Sequence, residues 1–355
     1  MTTLPNHPSS LCILRLSAIG DCCHAIALVQ TIQRHWPNTK ITWVIGKVEA
    51  QLIAAIPNLE DIELIVFDKK QGRKEYQQLK NNLKGRNFDV LLHLQANFRA
   101  NLVSRCIPAK KRIGFGFKRA RELQWLFTNI KAPISSGEHV AEGFMDFALA
   151  MGLPASKPSW QVDIPKLQQE WADQHKDERP LFVLCPAASK AERNWTTEGY
   201  AALIDHAHNK GMKVVLVGSP APMEVELSNQ INALTSFVDE NLVGKTTLPQ
   251  LLALLKVANL VVAPDTGPAH MATIVGTPVL GLYAAQTPQR TGPYHYKDVA
   301  VSVYDEALLA ETGKTADQVP WRTRVRDPEA MSRIRLDRVI DAFNNLMEST
   351  NVHAN

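Results

Sequence analysis

Short β-branched or leucine-rich runs alternate with longer amphipathic stretches along the whole chain, and this alternation constrains the fold more than any single motif. A short apolar run suits a strand buried on both faces, and a following stretch with apolar positions at helical spacing suits the crossover that parallel strands need. In the first half the pattern predicts strands at 12–16, 40–45, 62–67, 90–94 and 112–115. It predicts helices at 22–35, stopped by Pro37, and at 74–83, ended near Gly85. The second half restarts the rhythm, with strands at 181–185, 213–218, 260–263 and 279–283 and helices at 197–209, 222–234 and 249–256. Between the halves, 154–180 carries Pro154, Pro158, Pro165 and Pro180 and reads as a linker. The expectation is an α/β chain of two doubly wound, Rossmann-like domains with a cleft between them. Their bounds are set at 1–165 and 166–330, followed by a helix and tail at 331–355. Residues 306–327 are expected to be irregular, and 331–347 to form an amphipathic surface helix.

At 355 residues the chain is long enough for two such cores, and 45% hydrophobic with 21% charged residues is an ordinary globular composition. The polar, proline-containing start does not resemble a signal peptide, and no apolar run reaches the roughly 18 residues of a transmembrane helix. The five cysteines, Cys12, Cys22, Cys23, Cys106 and Cys185, have no C-x-x-C spacing and read as reduced, mostly buried thiols of a cytoplasmic protein. Charge is uneven. Residues 1–165 hold 21 Lys and Arg against 13 Asp and Glu, so the first half carries +8 and the remainder −4.

Three turns that follow predicted strands carry candidate chemistry, because ligands of doubly wound sheets bind at the carboxyl ends of the strands. Ser17-Ala18-Ile19-Gly20-Asp21 opens the first long helix, and Asp21 is either its cap or a carboxylate placed as a general base. Residues 186–195 combine small residues with Ser189, Lys190 and Arg193, which suits a diphosphate or an ordinary solvated loop. Pro264-Asp265-Thr266-Gly267-Pro268-Ala269-His270 joins a buried strand to a helix start. There Asp265 can cap, Thr266 and the N–H groups of Gly267 and Ala269 can meet phosphate, and His270 is either a further donor or structural. The dinucleotide fingerprint G-x-G-x-x-G is absent, which argues against a dehydrogenase. No Asp-x-Asp pair is present, and His206 and His208 are spaced onto different helix faces, so no metal site is expected. The basic clusters Lys69, Lys70, Arg73 and Lys74, then Lys110, Lys111 and Arg112, then Lys118, Arg119 and Arg121 form solvated faces or meet an anionic surface. Phe115, Phe117 and Trp125 interleave with the last of them, favouring a membrane or glycolipid, while no nucleic-acid motif accompanies the charge.

In order, Leu14-Arg15-Leu16-Ser17-Ala18-Ile19-Gly20-Asp21, Arg193-Asn194-Trp195 and Asp265-Thr266-Gly267-Pro268-Ala269-His270 resemble the motifs of glycosyltransferase family 9, the ADP-heptose:lipopolysaccharide heptosyltransferases. The resemblance runs from about residue 11 to about residue 345. It implies a GT-B fold and inverting transfer of heptose from ADP-L-glycero-D-manno-heptose to the Kdo-lipid A inner core, with no essential metal and no cofactor beyond the donor substrate. It implies Asp21 as base, and a donor site of Ser189, Lys190, Arg193, Glu224, Thr246, Asp265, Thr266, Gly267 and His270. Arg193 stands where the family often has lysine, and Ala188 where some members have a hydroxyl residue. Glu224 fits a ribose-binding carboxylate and Thr246 the adenine site. The acceptor, an anionic glycolipid at the cytoplasmic face of the inner membrane, is expected to meet Lys69, Lys70, Arg73, Lys74, Arg99 and Arg105. The enzyme would be peripheral there and would bind no nucleic acid. The rival readings are a same-fold transferase using another nucleotide sugar or a later core acceptor, and a nucleotide-sugar-binding protein without catalysis.

Overall fold

The computed structural model describes residues 7–134 and 137–352. Two compact units divide the chain, Met1–Asp163 and Ile164–Asn355.

The first unit runs β1 (Ser10–Leu14), α1 (Ile19–His35), β2 (Lys40–Gly46), α2 (Lys47–Ile53), β3 (Glu63–Phe67), α3 (Arg73–Asn82), β4 (Phe88–His93), α4 (Phe98–Ser104), β5 (Ala109–Gly114), β6 (Ile130–Lys131) and α5 (Val140–Ala150). All of its strand pairs are parallel, in the order β3-β2-β1-β4-β5-β6. β1 and β4 are apolar throughout their middles because helices cover both faces, and Cys12, Leu14, Val44 and Leu91 lie in the core with no exposure. α1 buries most of its circumference, including Cys22, Cys23, Ile26, Leu28 and Ile32, and packs on α5.

The second unit repeats the plan with α6 (Lys166–Asp173), β7 (Leu181–Leu184), α7 (Thr197–Asn209), β8 (Lys213–Leu216), α8 (Pro222–Leu234), β9 (Glu240–Asn241), α9 (Leu248–Val257), β10 (Leu260–Pro264), α10 (Gly267–Ile274), β11 (Val279–Tyr283), α11 (Pro288–Thr291), β12 (Val301–Ser302), α12 (Tyr304–Thr312) and α13 (Leu336–Val352). Its sheet is again parallel, in the order β12-β11-β10-β7-β8-β9. The order reverses between β1 and β4 in the first sheet and between β7 and β10 in the second, and such a switch point opens a crevice for ligand.

Several expectations change. The segment taken as a linker contains α6, which packs on α9, and the segment expected to be irregular contains α12, ended by Gly313 in the left-handed region. The final helix begins at Leu336 after a 3-10 turn at Ala330–Arg333. It is amphipathic as expected: Asp337, Arg338, Asp341, Asn345 and Glu348 face outward, while Val339, Phe343 and Leu346 enter the core of the second unit, where Phe343 meets Phe182 edge-on at 5.4 Å. The five cysteines are buried and unbridged, and burial pushes their thiols up, so none is a ready thiolate.

Candidate functional site

Each switch point holds a cluster of the residues singled out in the sequence. At the first, the chain leaves β1 and enters α1 through Leu16, Ser17 and Ala18, with a cis peptide bond between Ser17 and Ala18. Ala18 is the N-cap of α1, so Asp21 does not cap the helix. Asp21 sits in the first turn, one third exposed, and accepts a hydrogen bond from Nη2 of Arg15. Nη1 of the same arginine donates to the Leu94 carbonyl at 2.6 Å, and its guanidinium lies 5.6 Å from the centre of the Phe144 ring. From the end of β4, Gln95 accepts the Leu16 N–H at 2.7 Å and donates to the Ser17 hydroxyl at 3.3 Å. The turn is thereby fixed by side chains of its neighbouring strand.

Beside it, the turns after β1, β2, β3 and β4 enclose a pocket of about 340 Å³. Lys47, Lys69, Lys70 and Arg99 line it together with the acids Glu49 and Asp68, and Leu16, Val48 and Phe67 are its apolar groups. Burial raises the Glu49 carboxyl above its ordinary value, against a backbone hydrogen bond and the nearby charges of Lys69 and Arg15. Of the six cations expected to meet an acceptor, Lys69, Lys70 and Arg99 line this pocket. Arg73 and Lys74 lie exposed on α3, and Arg105 lies at the end of α4 over the Phe127 ring; none of these three lines it. A more open groove between Glu63 and Arg86 lies at the amino-terminal edge of the sheet, where the two charges already satisfy each other.

At the second switch point the loop after β7 faces the turn after β10. Asn194 accepts the Ala188 N–H at 2.7 Å, and Tyr200 donates to the Pro186 carbonyl at 2.8 Å, which shapes residues 186–194. Arg193 reaches from this loop to Asp265, Nη1 to Oδ2 at 3.3 Å. Asp265 also accepts from Nε2 of Gln286 at 2.5 Å, while His270 stands 3.9 Å from its other oxygen. Gln286 in turn accepts from Arg290 at 2.6 Å, and Arg290 covers the Trp321 ring at 4.7 Å. Asp265 therefore does not cap α10; Thr266 occupies that position, and its side chain makes no capping bond. The N–H groups of Gly267 and Ala269 stand in the first turn of α10, where a helix has no carbonyl partner for them, and Pro268 between them loses nothing by lacking an N–H. Ser189 and Lys190 are exposed on the loop, Lys190 paired with Glu192 at 3.2 Å.

Glu224 stands in the first turn of α8 and accepts both the Ser219 N–H, at 2.7 Å, and the Ser219 hydroxyl, at 2.5 Å. The next loop, which carries Thr246, is tied to this turn where the Gly244 N–H donates to the Gly218 carbonyl at 2.9 Å. Among the described residues no group of three His, Cys, Asp or Glu is placed to hold a metal ion.

Arg15, Glu49, Gln286 and Arg290 belong to these clusters although no role was predicted for them. Gln286 had a legible signal, since it lies three residues after the end of β11 and precedes Thr287-Pro288, a helix-start pair. The others carry none: an arginine one residue past a strand and a glutamate in a seven-residue helix read as ordinary surface.

Comparison with known proteins identifies the family and the fold. Residues 76–321 match the profile of glycosyltransferase family 9 (heptosyltransferase). The chain is 46% identical over 340 residues to the lipopolysaccharide core heptosyltransferase OpsX of Haemophilus influenzae, covering 96% of this chain and 97% of that one. Among solved structures, a family 9 glycosyltransferase from Veillonella parvula superposes with a TM-score of 0.79 at 21% identity, covering 96% of this chain and 98% of the other. The E. coli heptosyltransferase WaaC, solved with ADP-2-deoxy-2-fluoro heptose, gives 0.66 at 22% identity, covering 80% and 94%. The two parallel six-stranded sheets are those of the expected GT-B fold. With most of its length matched by the family profile and nearly all of it by a relative at 46% identity, the chain belongs to glycosyltransferase family 9, the heptosyltransferases.

Proposed function

We propose that the chain is a lipopolysaccharide core heptosyltransferase that moves heptose from ADP-L-glycero-D-manno-heptose to the Kdo-lipid A inner core, inverting the anomeric carbon without a metal. One observation carries the reading: the switch point of the first sheet presents a carboxylate, Asp21, and that of the second presents cations and a helix start. Transfer needs both kinds of charge. Asp21 takes the proton of the acceptor hydroxyl as that oxygen attacks the anomeric carbon. The bond from that carbon to the diphosphate breaks with its electron pair leaving on ADP. Arg193, Lys190 and the first-turn N–H groups of α10 receive the developing negative charge. A single displacement from the face opposite the diphosphate inverts the centre.

Ser189, Thr266, Gly267 and His270 hold the sugar diphosphate in this reading, with Asp265 fixing Arg193. Glu224 binds ribose hydroxyls, and the loop of Thr246 receives adenine through its backbone. Lys69, Lys70 and Arg99 in the pocket meet the phosphates and carboxylates of the acceptor, with Arg73, Lys74 and Arg105 around it. Such an acceptor is membrane-anchored, and in this reading the enzyme meets it from the cytoplasmic surface as a peripheral protein; among the described residues no helix is long and apolar enough to cross a membrane.

ADP release from ADP-heptose with defined Kdo-lipid A acceptors tests the assignment. Turnover that requires both substrates, survives a chelator and is not supported by UDP- or GDP-sugars is expected. Turnover with another donor, or none without a longer core acceptor, sinks the substrate assignment while leaving the family in place.

A further inference from the structure

Residues 98–131, which run from α4 through β5 to β6, hold nine lysines and arginines against one acid, Glu122; the rest of the first 165 residues hold twelve of each sign. The whole charge excess of the first unit is thus confined to one edge of its sheet. Arg112 and Arg119 are used internally, Arg112 on the carbonyls of Ser104, Ile107 and Phe127 and Arg119 on Asp146 at 3.7 Å. Arg99, Arg105, Lys110, Lys118, Arg121 and Lys131 are exposed.

Apolar side chains stand among these cations. Phe98, Leu102, Phe117, Leu123, Trp125 and Leu126 are between 41% and 68% exposed. They belong to α4 and to the connection between β5 and β6, and the two pieces are clamped together. The Phe98 N–H donates to the Glu122 carboxylate, and Asn101 Nδ2 donates to the Glu122 carbonyl at 2.6 Å. Gln124 is fully buried in the middle of the exposed turn; it donates to the His93 carbonyl at 2.8 Å and accepts the Phe115 N–H at 3.2 Å. Glu122 and Leu123 have φ of 47° and 62°, a left-handed backbone that non-glycine residues avoid. The turn is held in this conformation by tertiary bonds while its leucines and tryptophan face water. Lys131 Nζ lies 3.5 Å from the centre of the Phe117 ring, so cation and aromatic ring are presented together.

We propose that this face docks on an anionic lipid bilayer, with Phe117, Leu123, Trp125 and Leu126 entering the headgroup–acyl boundary and the surrounding cations meeting lipid phosphates. Aromatic and aliphatic tips ringed by lysine and arginine are the chemistry of an interfacial anchor. A second copy of the chain is the poorer occupant, because an isologous contact would press two like-charged surfaces together. Arg99 is shared with the pocket described above, so a lipid-borne acceptor would approach that pocket from the docked face. The inference rests on the acceptor reading for that direction of approach alone.

Cosedimentation of the full chain with phosphatidylcholine vesicles, with and without phosphatidylglycerol, tests it without donor or acceptor. Binding is expected to the anionic vesicles only, and to fall as salt is raised. K110E/K118E is expected to weaken it at least about tenfold by reversing two contacts with the surface potential. W125S/L126S is expected to weaken it about tenfold through lost apolar burial. With both variants melting like the wild type, turnover should hold on a water-soluble deacylated acceptor and fall on the same acceptor in vesicles. Three results overturn the proposal: no binding by the wild type, unchanged binding by both variants, or a W125S/L126S protein that loses an oligomeric state while still binding vesicles. Failure on the soluble acceptor alone would count against the transfer reading and not against docking.

Discussion

Arg15 joins Asp21 to the neighbouring strand: one guanidinium nitrogen donates to the Asp21 carboxylate and the other to the Leu94 carbonyl at 2.6 Å. Asp21 lies after β1 and Leu94 after β4, so one side chain bridges both sides of the first switch point. The arginine is itself nearly buried, which fixes the direction of the carboxylate it holds.

With Asp21 as the proposed base, Arg15 is a positioning residue, and its effect should be separable from that of Asp21. D21A is expected to lower kcat by about 10²–10⁴ while the KM for the donor stays near its wild-type value. R15A should lower kcat by roughly 10–100-fold through misplacement of the base. R15K should recover only part of this, because an ammonium is a point donor and cannot span both acceptors. Steady-state kinetics on a soluble acceptor, with melting curves as a fold control, check all three. An R15K protein as fast as the wild type would show that a charge at this position is enough and that the fork geometry is not needed.

On the proposed donor side Gln286 shares the Asp265 carboxylate with Arg193 and holds Arg290 through its carbonyl oxygen. In Q286A, Asp265 has Arg193 as its main remaining partner, and the cation is drawn away from the diphosphate. ADP binding measured by calorimetry should weaken by about tenfold. Q286E should be worse, since two carboxylates that close cannot both ionise without penalty. Equal affinity in the wild type and Q286A would remove Gln286 from the donor site.

The second switch point was largely legible because its residues are neighbours in sequence: a buried strand, a polar turn and a helix start mark both 186–195 and 264–270. The pairing of Arg15 with Leu94 spans 79 residues, and the reach of Arg193 to Asp265 spans 72, so neither partner leaves a local trace. Short elements were also silent. α2 and α4 have seven residues each, too few to display a 3.6-residue period, and two-residue edge strands such as β6, β9 and β12 carry no alternation. The prolines around α6 concealed it because Pro165 is its N-cap and lies before it, where proline is tolerated. Acidic residues at 305, 306 and 311 made α12 look irregular, although two of them stand in its first turn, where they favour a helix.

The second unit should lose stability in acid through Glu240. Burial raises its carboxyl, but Lys213 and His175, each at 2.6 Å, outweigh that and hold it below its ordinary value. A carboxyl held low in the folded state stabilises the fold above its unfolded value and ceases to do so as pH falls through the folded one. E240Q should therefore melt below the wild type at neutral pH, and the two melting temperatures should converge as pH falls below the lowered folded value of the Glu240 carboxyl. Curves that stay parallel across this range would show that the ion pairs do not contribute.

Gly46 ends β2 and caps α2 with φ of −73°, a conformation open to any residue, so its role is steric and not conformational. A Cβ there would overlap the Leu16 carbonyl oxygen, which is backbone, and the Glu49 carboxylate. The carboxylate can swing away, but the carbonyl moves only if the ends of β1 and β2 separate, and both line the pocket with Lys69 and Arg99. G46A should cost about 1–3 kcal/mol, the usual range for overpacking a fixed backbone contact. In urea melts the midpoint should fall while the m value is unchanged. The same displacement should raise the KM for acceptor and leave ADP binding at its wild-type value, since the second unit is untouched. A variant that melts early but keeps its acceptor KM would detach the pocket from acceptor binding and leave Gly46 a purely structural residue.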